Sequence, residues 1–303
     1  LRGARILIEE LIRQGVDTVF GYPGGAVLNI YDELYQCRDR IHHVLTAHEQ
    51  GAAHAADGFA RASGKVGVVI ATSGPGATNL VTGIANAYLD SVPLVAITGN
   101  VATEALGRDS FQEVDIVSIT QPVVKHNFMV KDVSELEQTI KEAFLIANSG
   151  RKGPVLIDIP KDVQVNECEY GVAVLPRMPE KAELPYDEEA AVKLLNEAKK
   201  PFIYAGGGIV SAGGEDYLRE LAEKLNAPVA VSMMGRTAFP DSHPLSLGLV
   251  GMHGSYQAAK VQSECDLMIA VGVRFSDRAT GNLSRYTKNC KVIHVDIDKA
   301  ELG

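Results

Sequence analysis

The sequence predicts an α/β fold of two doubly wound parallel-sheet domains, and three observations carry that expectation. Short apolar runs alternate with segments of helical period along nearly the whole chain, as in parallel α/β units. One run, with Val66, Val68, Val69 and Ile70, is almost continuously apolar, as strands are when helices cover both faces of a sheet. Several runs end in glycine-rich loops that lead into helices, at the strand ends where open α/β sheets bind ligands.

The chain has 303 residues, 46% apolar and 22% charged, enough for two domains with sizeable cores. A net charge of −9 without a basic stripe argues against nucleic acid as a partner. The four cysteines, Cys37, Cys168, Cys265 and Cys290, are far apart and form no CxxC pair, so neither a disulfide framework nor a metal site of cysteines is expected. A reducing setting fits, bacterial-type cytoplasm or organelle stroma. No apolar run reaches membrane-spanning length, so no membrane partner is expected. No signal peptide is evident, but the chain begins at Leu1, which leaves open a leader removed ahead of it.

Ala4, Leu7, Ile8, Leu11 and Ile12 share one face of a first helix, and Gly15 is placed to end it. Thr18-Val19-Phe20 reads as the first strand. It enters Gly21-Tyr22-Pro23-Gly24-Gly25, either an ordinary turn or a loop that lets backbone approach a ligand. A helix over residues 26–35 and a short buried strand over 41–45 follow. His48-Glu49-Gln50-Gly51-Ala52 then opens a helix with Ala52, Ala53, Ala56, Phe59 and Ala60 at helical spacing. Glu49 thus stands at a strand-to-helix junction. The helix dipole alone favours a first-turn glutamate, so Glu49 read by itself is either that or a ligand-facing group, with small residues behind it leaving room for something flat.

The apolar strand over 65–72 runs into Thr72-Ser73-Gly74-Pro75-Gly76-Ala77-Thr78-Asn79, which is neither a P-loop nor GxGxxG. A close-approach loop is the better reading than a phosphate site. A helix to Asp90 and a strand over 94–98 precede residues 99–112, which show no period; so long a loop in a compact domain is usually functional or mobile. A helix over 133–148 and a strand over 155–159 close the unit, and Pro160-Lys161-Asp162-Val163 leaves it.

Residues 168–187 carry prolines and charges without period and read as a linker. The second unit holds helices over 188–198 and 216–225 and strands over 202–205, 229–232, 267–271 and 292–296. Its loops include Gly206-Gly207-Gly208 and Gly272-Val273-Arg274-Phe275-Ser276-Asp277-Arg278.

Six stretches stand in one order: Gly21 to Gly25, His48 to Ala52, Thr72 to Gly76, Phe111-Gln112, Pro160-Lys161-Asp162-Val163-Gln164 and Gly272 to Phe275. At this spacing they resemble the thiamine-diphosphate-dependent enzymes and, more narrowly, the acetolactate (acetohydroxyacid) synthase catalytic large subunits. The resemblance covers essentially the whole chain. It implies a pyrimidine-binding domain over residues 1–165, a linker over 166–187, and a Rossmann-like, FAD-binding-like central domain over 188–303 that ends short. The family's third domain carries a Gly-Asp-Gly signature that holds Mg²⁺ and the diphosphate. No Gly-Asp-Gly occurs here, so the metal ligands are expected outside this chain, and the fragment alone is expected to be inactive.

The resemblance implies a transferase that decarboxylates pyruvate and joins the remainder to a second 2-keto acid. Pyruvate as acceptor gives 2-acetolactate, and 2-oxobutyrate gives 2-aceto-2-hydroxybutyrate, in the first common step of branched-chain amino acid biosynthesis. Glu49 matches the glutamate that hydrogen-bonds the cofactor aminopyrimidine. Pro23, Gly24, Gly25, Gly74 and Asn79 match further thiamine diphosphate contacts, Gly25 and Gln112 catalytic positions, and Phe111 and Lys161 the substrate pocket and its entrance. Arg151, Gly206, Gly207, Gly208, His253, Gly254, Gly272, Arg274, Arg278 and Asp296 match the FAD site. Ser276 departs from the aspartate many relatives carry there. A homodimer or higher homo-oligomer and a small regulatory subunit are the implied partners.

Two other readings compete. Another thiamine enzyme, a 2-oxoacid oxidase or a decarboxylase, would share Glu49; Lys161 and Phe275 to Arg278 lean away from it. A dinucleotide-binding oxidoreductase is suggested by Gly206 to Gly208, but GxGxxG is absent.

Overall fold

The computed structural model describes residues 1–174, 186–282, 284, 286–288 and 290–302. The chain forms two compact units, residues 1–180 and 181–303. The first opens with α1 (Gly3–Arg13), whose expected apolar face is buried. Gly15 takes φ +81°. It donates to the Ile12 carbonyl while Val16 donates to that of Leu11, the paired bonds by which a glycine past a helix end satisfies its last carbonyls.

Next come β1 (Thr18–Gly21), a 3-10 turn over Gly25–Val27, α2 (Leu28–Gln36) and β2 (His42–Leu45). β2 pairs with β1 at the sheet edge, and His42 and Leu45 are exposed. The buried strand expected at 41–45 is therefore an edge strand, and Ile41, just ahead of it, supplies the burial. Then follow α3 (Glu49–Ser63), β3 (Gly67–Ala71), α4 (Pro75–Asn79), α5 (Val81–Leu89) and β4 (Leu94–Asn100). The single helix expected up to Asp90 is thus two, divided at Leu80. A 3-10 turn at Thr103–Ala105 leads to α6 (Ile116–Thr120), β5 (His126–Met129), α7 (Leu136–Asn148), β6 (Pro154–Pro160) and α8 (Lys161–Val165).

The sheet is parallel throughout, in the order β2-β1-β3-β4-β6-β5. Alternate side chains divide between its faces. Val68, Ile70, Val95, Ile97, Val155 and Ile157 pack with α1, α2 and α7. Val69, Ala71, Leu94, Ala96 and Leu156 pack with α3 and α5. From β1, inside the sheet, the chain passes to β2 on one side and returns to β3 on the other. The switch point, where such sheets open a crevice, lies between the C-terminal ends of β1 and β3.

Much of the expected linker, residues 175–185, lies outside the described residues. Its described beginning is held to the first unit. Gly171 N donates to Glu137 Oε2 at 2.8 Å, and Lys141 Nζ donates both to Glu137 Oε1 at 2.6 Å and to the Ala173 carbonyl at 3.0 Å.

The second unit contains α9 (Glu188–Glu197), β7 (Pro201–Ala205), α10 (Gly207–Ala212), α11 (Glu215–Leu225), β8 (Val229–Val231) and β9 (Ser246–Leu249). It continues with α12 (Tyr256–Glu264), β10 (Leu267–Val271), α13 (Asp277–Thr280) and β11 (Lys291–Val295). Its sheet is also parallel, ordered β11-β10-β7-β8-β9. Ile203, Val229 and Ile269 face one core and Phe202, Tyr204 and Met268 the other. Here the switch point lies between β7 and β10. Among the described residues no helix is long and apolar enough to cross a membrane.

Candidate active site

The first unit gathers most of its candidate residues at the β1–β3 switch point. Glu49 is the first residue of α3, just past the end of β2, and is 9% exposed. His48 caps the helix, its Nδ1 accepting from Gln50 N at 3.1 Å. Asn79, at the end of α4, donates through Nδ2 to Glu49 Oε2 at 3.0 Å. The other oxygen faces Gly76, where an added Cβ would lie 3.2 Å from Oε1 and 2.7 Å from Thr72 Cγ2. Thr72 Oγ1 in turn accepts from Ala26 N at 3.1 Å, and an added Cβ at Gly24 would meet the Thr72 side chain at 2.5 Å. Thr72 therefore joins the loops after β1 and β3, with Glu49 beside it.

The small residues behind Glu49 have a different use from the one the sequence suggested. Ala52, Ala53 and Ala56 are fully buried, and an added Cβ at Gly83 would meet the Ala53 Cβ at 2.4 Å. Ala53 lets α3 and α5 pack closely and Ala56 lies against β3 at Gly67, so these small residues serve packing within the domain. Gly25 fits the role of leaving room for a flat ligand. An added Cβ there would meet nothing within 4 Å, and its φ is outside the left-handed region. Neither packing nor backbone conformation requires a glycine at 25. Pro23, two residues earlier, is half-buried.

The long loop after β4 returns to the same place. Gly74 takes φ +58° and an added Cβ would lie 2.5 Å from the Gln112 carbonyl oxygen; Gln112 itself takes φ +57°. Glu113 holds the loop tip, its carboxylate accepting from Gly107 N and, at 3.0 Å, from Ser110 N. These bonds, Gly107 first, hold that carboxyl below the usual carboxylate range. Phe111 is 86% exposed. Lys161 is exposed at the start of α8. Its neighbour Asp162 accepts from Thr103 N at 3.0 Å and Thr103 Oγ1 at 2.5 Å.

Sequence reasoning missed the part of four residues here. Thr72 and Gly76 belong to the glycine-rich loop after β3, but their part is visible only once α4 folds back on Glu49. Tyr31 Oη and His43 Nε2 are buried without a hydrogen-bond partner among the described residues, and their rings meet edge to face at 4.9 Å. Burial first, and then the charge of Glu49, pushes the Tyr31 hydroxyl up; burial lowers His43.

Arg151 is not brought to this edge. It precedes β6 and donates to Ser91 Oγ at 2.9 Å, at the opposite, N-terminal end of the sheet. In the second unit, Gly206, Gly207, Gly208, His253, Gly254, Gly272, Arg274, Arg278 and Asp296 all follow the C-terminal ends of strands. The glycines there are used by the chain itself. An added Cβ at Gly206 would meet the Gly272 carbonyl oxygen at 1.9 Å, one at Gly208 the Gly272 Cα at 2.6 Å, and one at Gly207 the Met234 Cβ at 2.9 Å. His253, Arg274 and Arg278 are exposed. The loop carrying His253 and Gly254 is bound to Arg278 through Met252 N, which donates to the Arg278 carbonyl at 2.9 Å. Asp296 accepts from Asp298 N at 2.9 Å. Among the described residues no cluster of three or more His, Cys, Asp or Glu could hold a metal ion.

Two family models match the chain. Residues 1–119 match the thiamine pyrophosphate enzyme N-terminal TPP binding domain, and residues 189–303 the thiamine pyrophosphate enzyme central domain. An acetolactate synthase of Arthrospira platensis is 52% identical over 312 residues, covering 99% of this chain and 54% of the relative. The acetolactate synthase isozyme 3 large subunit of Escherichia coli is 50% identical over 309 residues, 100% of this chain and 54% of the relative. The acetolactate synthase large subunit of Corynebacterium glutamicum is 50% identical over 313 residues, 100% of this chain and 49% of the relative. The chain spans about half the length of these curated relatives.

Proposed function

The chain belongs to the thiamine pyrophosphate enzymes, and from that premise we propose that it is the N-terminal and central part of an acetolactate synthase large subunit. The whole protein would decarboxylate pyruvate and transfer the remainder to pyruvate or 2-oxobutyrate, at the start of branched-chain amino acid biosynthesis. The observation that carries this reading is the buried Glu49 carboxylate, held by Asn79 at 3.0 Å at the switch point of the sheet. Such a carboxylate fits the aminopyrimidine of thiamine diphosphate. One of its oxygens accepts from Asn79, and the other lies beside Gly76 and Thr72.

Thiamine diphosphate supplies a carbon nucleophile and an electron sink that no side chain offers. The chain's own part is placement. Glu49 would hold the pyrimidine by a hydrogen bond to its ring nitrogen. Gly24 and Gly25 would admit it close to backbone, with Pro23 stiffening the approach. Gly74 brings Gln112 to the same edge, where its amide would hydrogen-bond the reacting acid. Phe111 and Lys161 would meet substrate once a further domain or subunit covers this edge. Mg²⁺ would be held by groups outside this chain. FAD would lie at the strand ends of the central domain, with Arg274, Arg278 and His253 toward its phosphates and Asp296 toward its ribose. A homodimer or larger homo-oligomer, a small regulatory subunit and a bacterial-type cytoplasm complete the reading.

The test is acetolactate formation by the full-length protein given pyruvate, thiamine diphosphate, Mg²⁺ and FAD, with Glu49→Gln alongside. Acetolactate from the natural protein, with a loss of about 10²–10⁴-fold in the variant, is the expected result. Carbon dioxide without acetolactate would move the reading to a decarboxylase, and no turnover of pyruvate would sink it. Flavin retained by the purified protein, and lost in Arg278→Ala, is expected for the FAD site.

A further inference from the structure

One buried carboxyl is used by none of the roles above. Asp158, near the end of β6, is 0% exposed and lies opposite Thr98 on β4, with Asn100 two residues further along the same strand; these two are 0% and 2% exposed. Thr98 Oγ1 donates to Asp158 Oδ1 at 2.6 Å, and Asn100 Nδ2 donates to Asp158 Oδ2 at 2.6 Å. The amide of Asn100 is therefore fixed in orientation, and its Oδ1 accepts from Val101 N at 2.8 Å. Val101 is the first residue beyond β4. From there the chain is held at Thr103 by Asp162, at Gly107 and Ser110 by Glu113, and ends with Gln112 against Gly74.

Burying a carboxyl is expensive, and an apolar pair of the same volume would often serve a sheet interior as well or better. Burial pushes this one up to about 7, and Asp115 nearby adds to the effect. What the carboxyl provides that an apolar group cannot is direction: two acceptors that fix both β4 donors.

We propose that Asp158 is a positioning residue for the loop over residues 101–113: through Asn100 it fixes how the chain leaves β4, and so seats Gln112 against Gly74. That this loop meets substrate rests on the function proposed above; that Asp158 directs it does not.

The decisive comparison uses the full-length protein. Asn100→Asp removes the amide donor and sets two carboxyls face to face, which repel when both are ionised and otherwise share one proton. Adding Asp158→Asn exchanges the partners, with the amide now at 158 and the carboxylate at 100. Every bond is then available again, including the acceptor for Val101 N. Amide hydrogen exchange is read over residues 101–113 and, as control, over β3 and α7, together with KM and kcat for pyruvate. The single variant is expected to exchange about tenfold faster in the loop with the controls unmoved, and to raise KM more than it lowers kcat. The double variant is expected to return to within about twofold of the natural protein. Loop and sheet loosening together, or a double variant no better than the single one, would overturn the proposal. If the unaltered protein makes no acetolactate, the functional reading fails while the exchange contrast still decides the role of Asp158.

Discussion

Asn79 and Glu49 belong to helices that follow different strands, yet one hydrogen bond of 3.0 Å joins them. The bond spans the switch point, so the carboxylate is aimed by a residue that the sheet, not local sequence, brings to it. Asn79→Ala leaves a buried carboxylate short of a donor, a loss of about 1–3 kcal/mol. We expect thiamine diphosphate to bind roughly tenfold more weakly, with the thermal midpoint lowered by a few degrees. Titration calorimetry on the full-length protein would show it, and an unchanged affinity would remove Asn79 from the site.

Two glycines should part company under the same substitution. Gly74→Ala puts a methyl group 2.5 Å from the Gln112 carbonyl at a left-handed φ of +58°, which is expected to cost about 1–3 kcal/mol of stability. Gly25→Ala meets nothing within 4 Å, so its unfolding free energy in urea should stay within about 0.5 kcal/mol of the natural protein. Cofactor affinity should nevertheless fall in both. A Gly25→Ala protein that binds the cofactor normally would return that loop to an ordinary turn.

Asp158 also makes a prediction about pH. Its carboxyl is raised from 3.8 to about 7 by burial, so between those values the folded chain holds a proton that the unfolded chain has released. The stability from this group is full below its unfolded pKa and is lost as pH rises through about 7. Urea unfolding from about pH 5 to about pH 8 should show stability declining in the natural protein and a flatter profile in Asp158→Asn. Parallel profiles would assign the decline to other groups.

Much of this was legible in the sequence because periodicity reports burial directly. The first helix, its glycine stop and the strand around Val68 to Ile70 are examples, with both faces of that strand covered. The strand His126–Met129 was not, because it is an edge strand whose residues show no alternation between solvent and core. Glu49 was legible as a position, at a junction with glycine-rich company. Its partner Asn79 is legible as a cofactor contact only through the family resemblance, and the bond it makes to Glu49 depends on a register between β1, β2 and β3 that no local pattern encodes. Ala52, Ala53 and Ala56 misled for a related reason: small side chains mark close approach without saying whether a ligand or a helix does the approaching.

The contact of Gly206 and Gly208 with Gly272 has a consequence for saturation mutagenesis. A methyl group at any of the three would collide with backbone of the facing loop, so nearly every codon change there should drop out of a growth selection. That depletion would report the joint between two strands, and it would look the same in a version of this domain that had never met a flavin. Exposed positions such as Arg274 and Arg278 carry no such packing demand, and the fitness signal of cofactor recognition should be sought there.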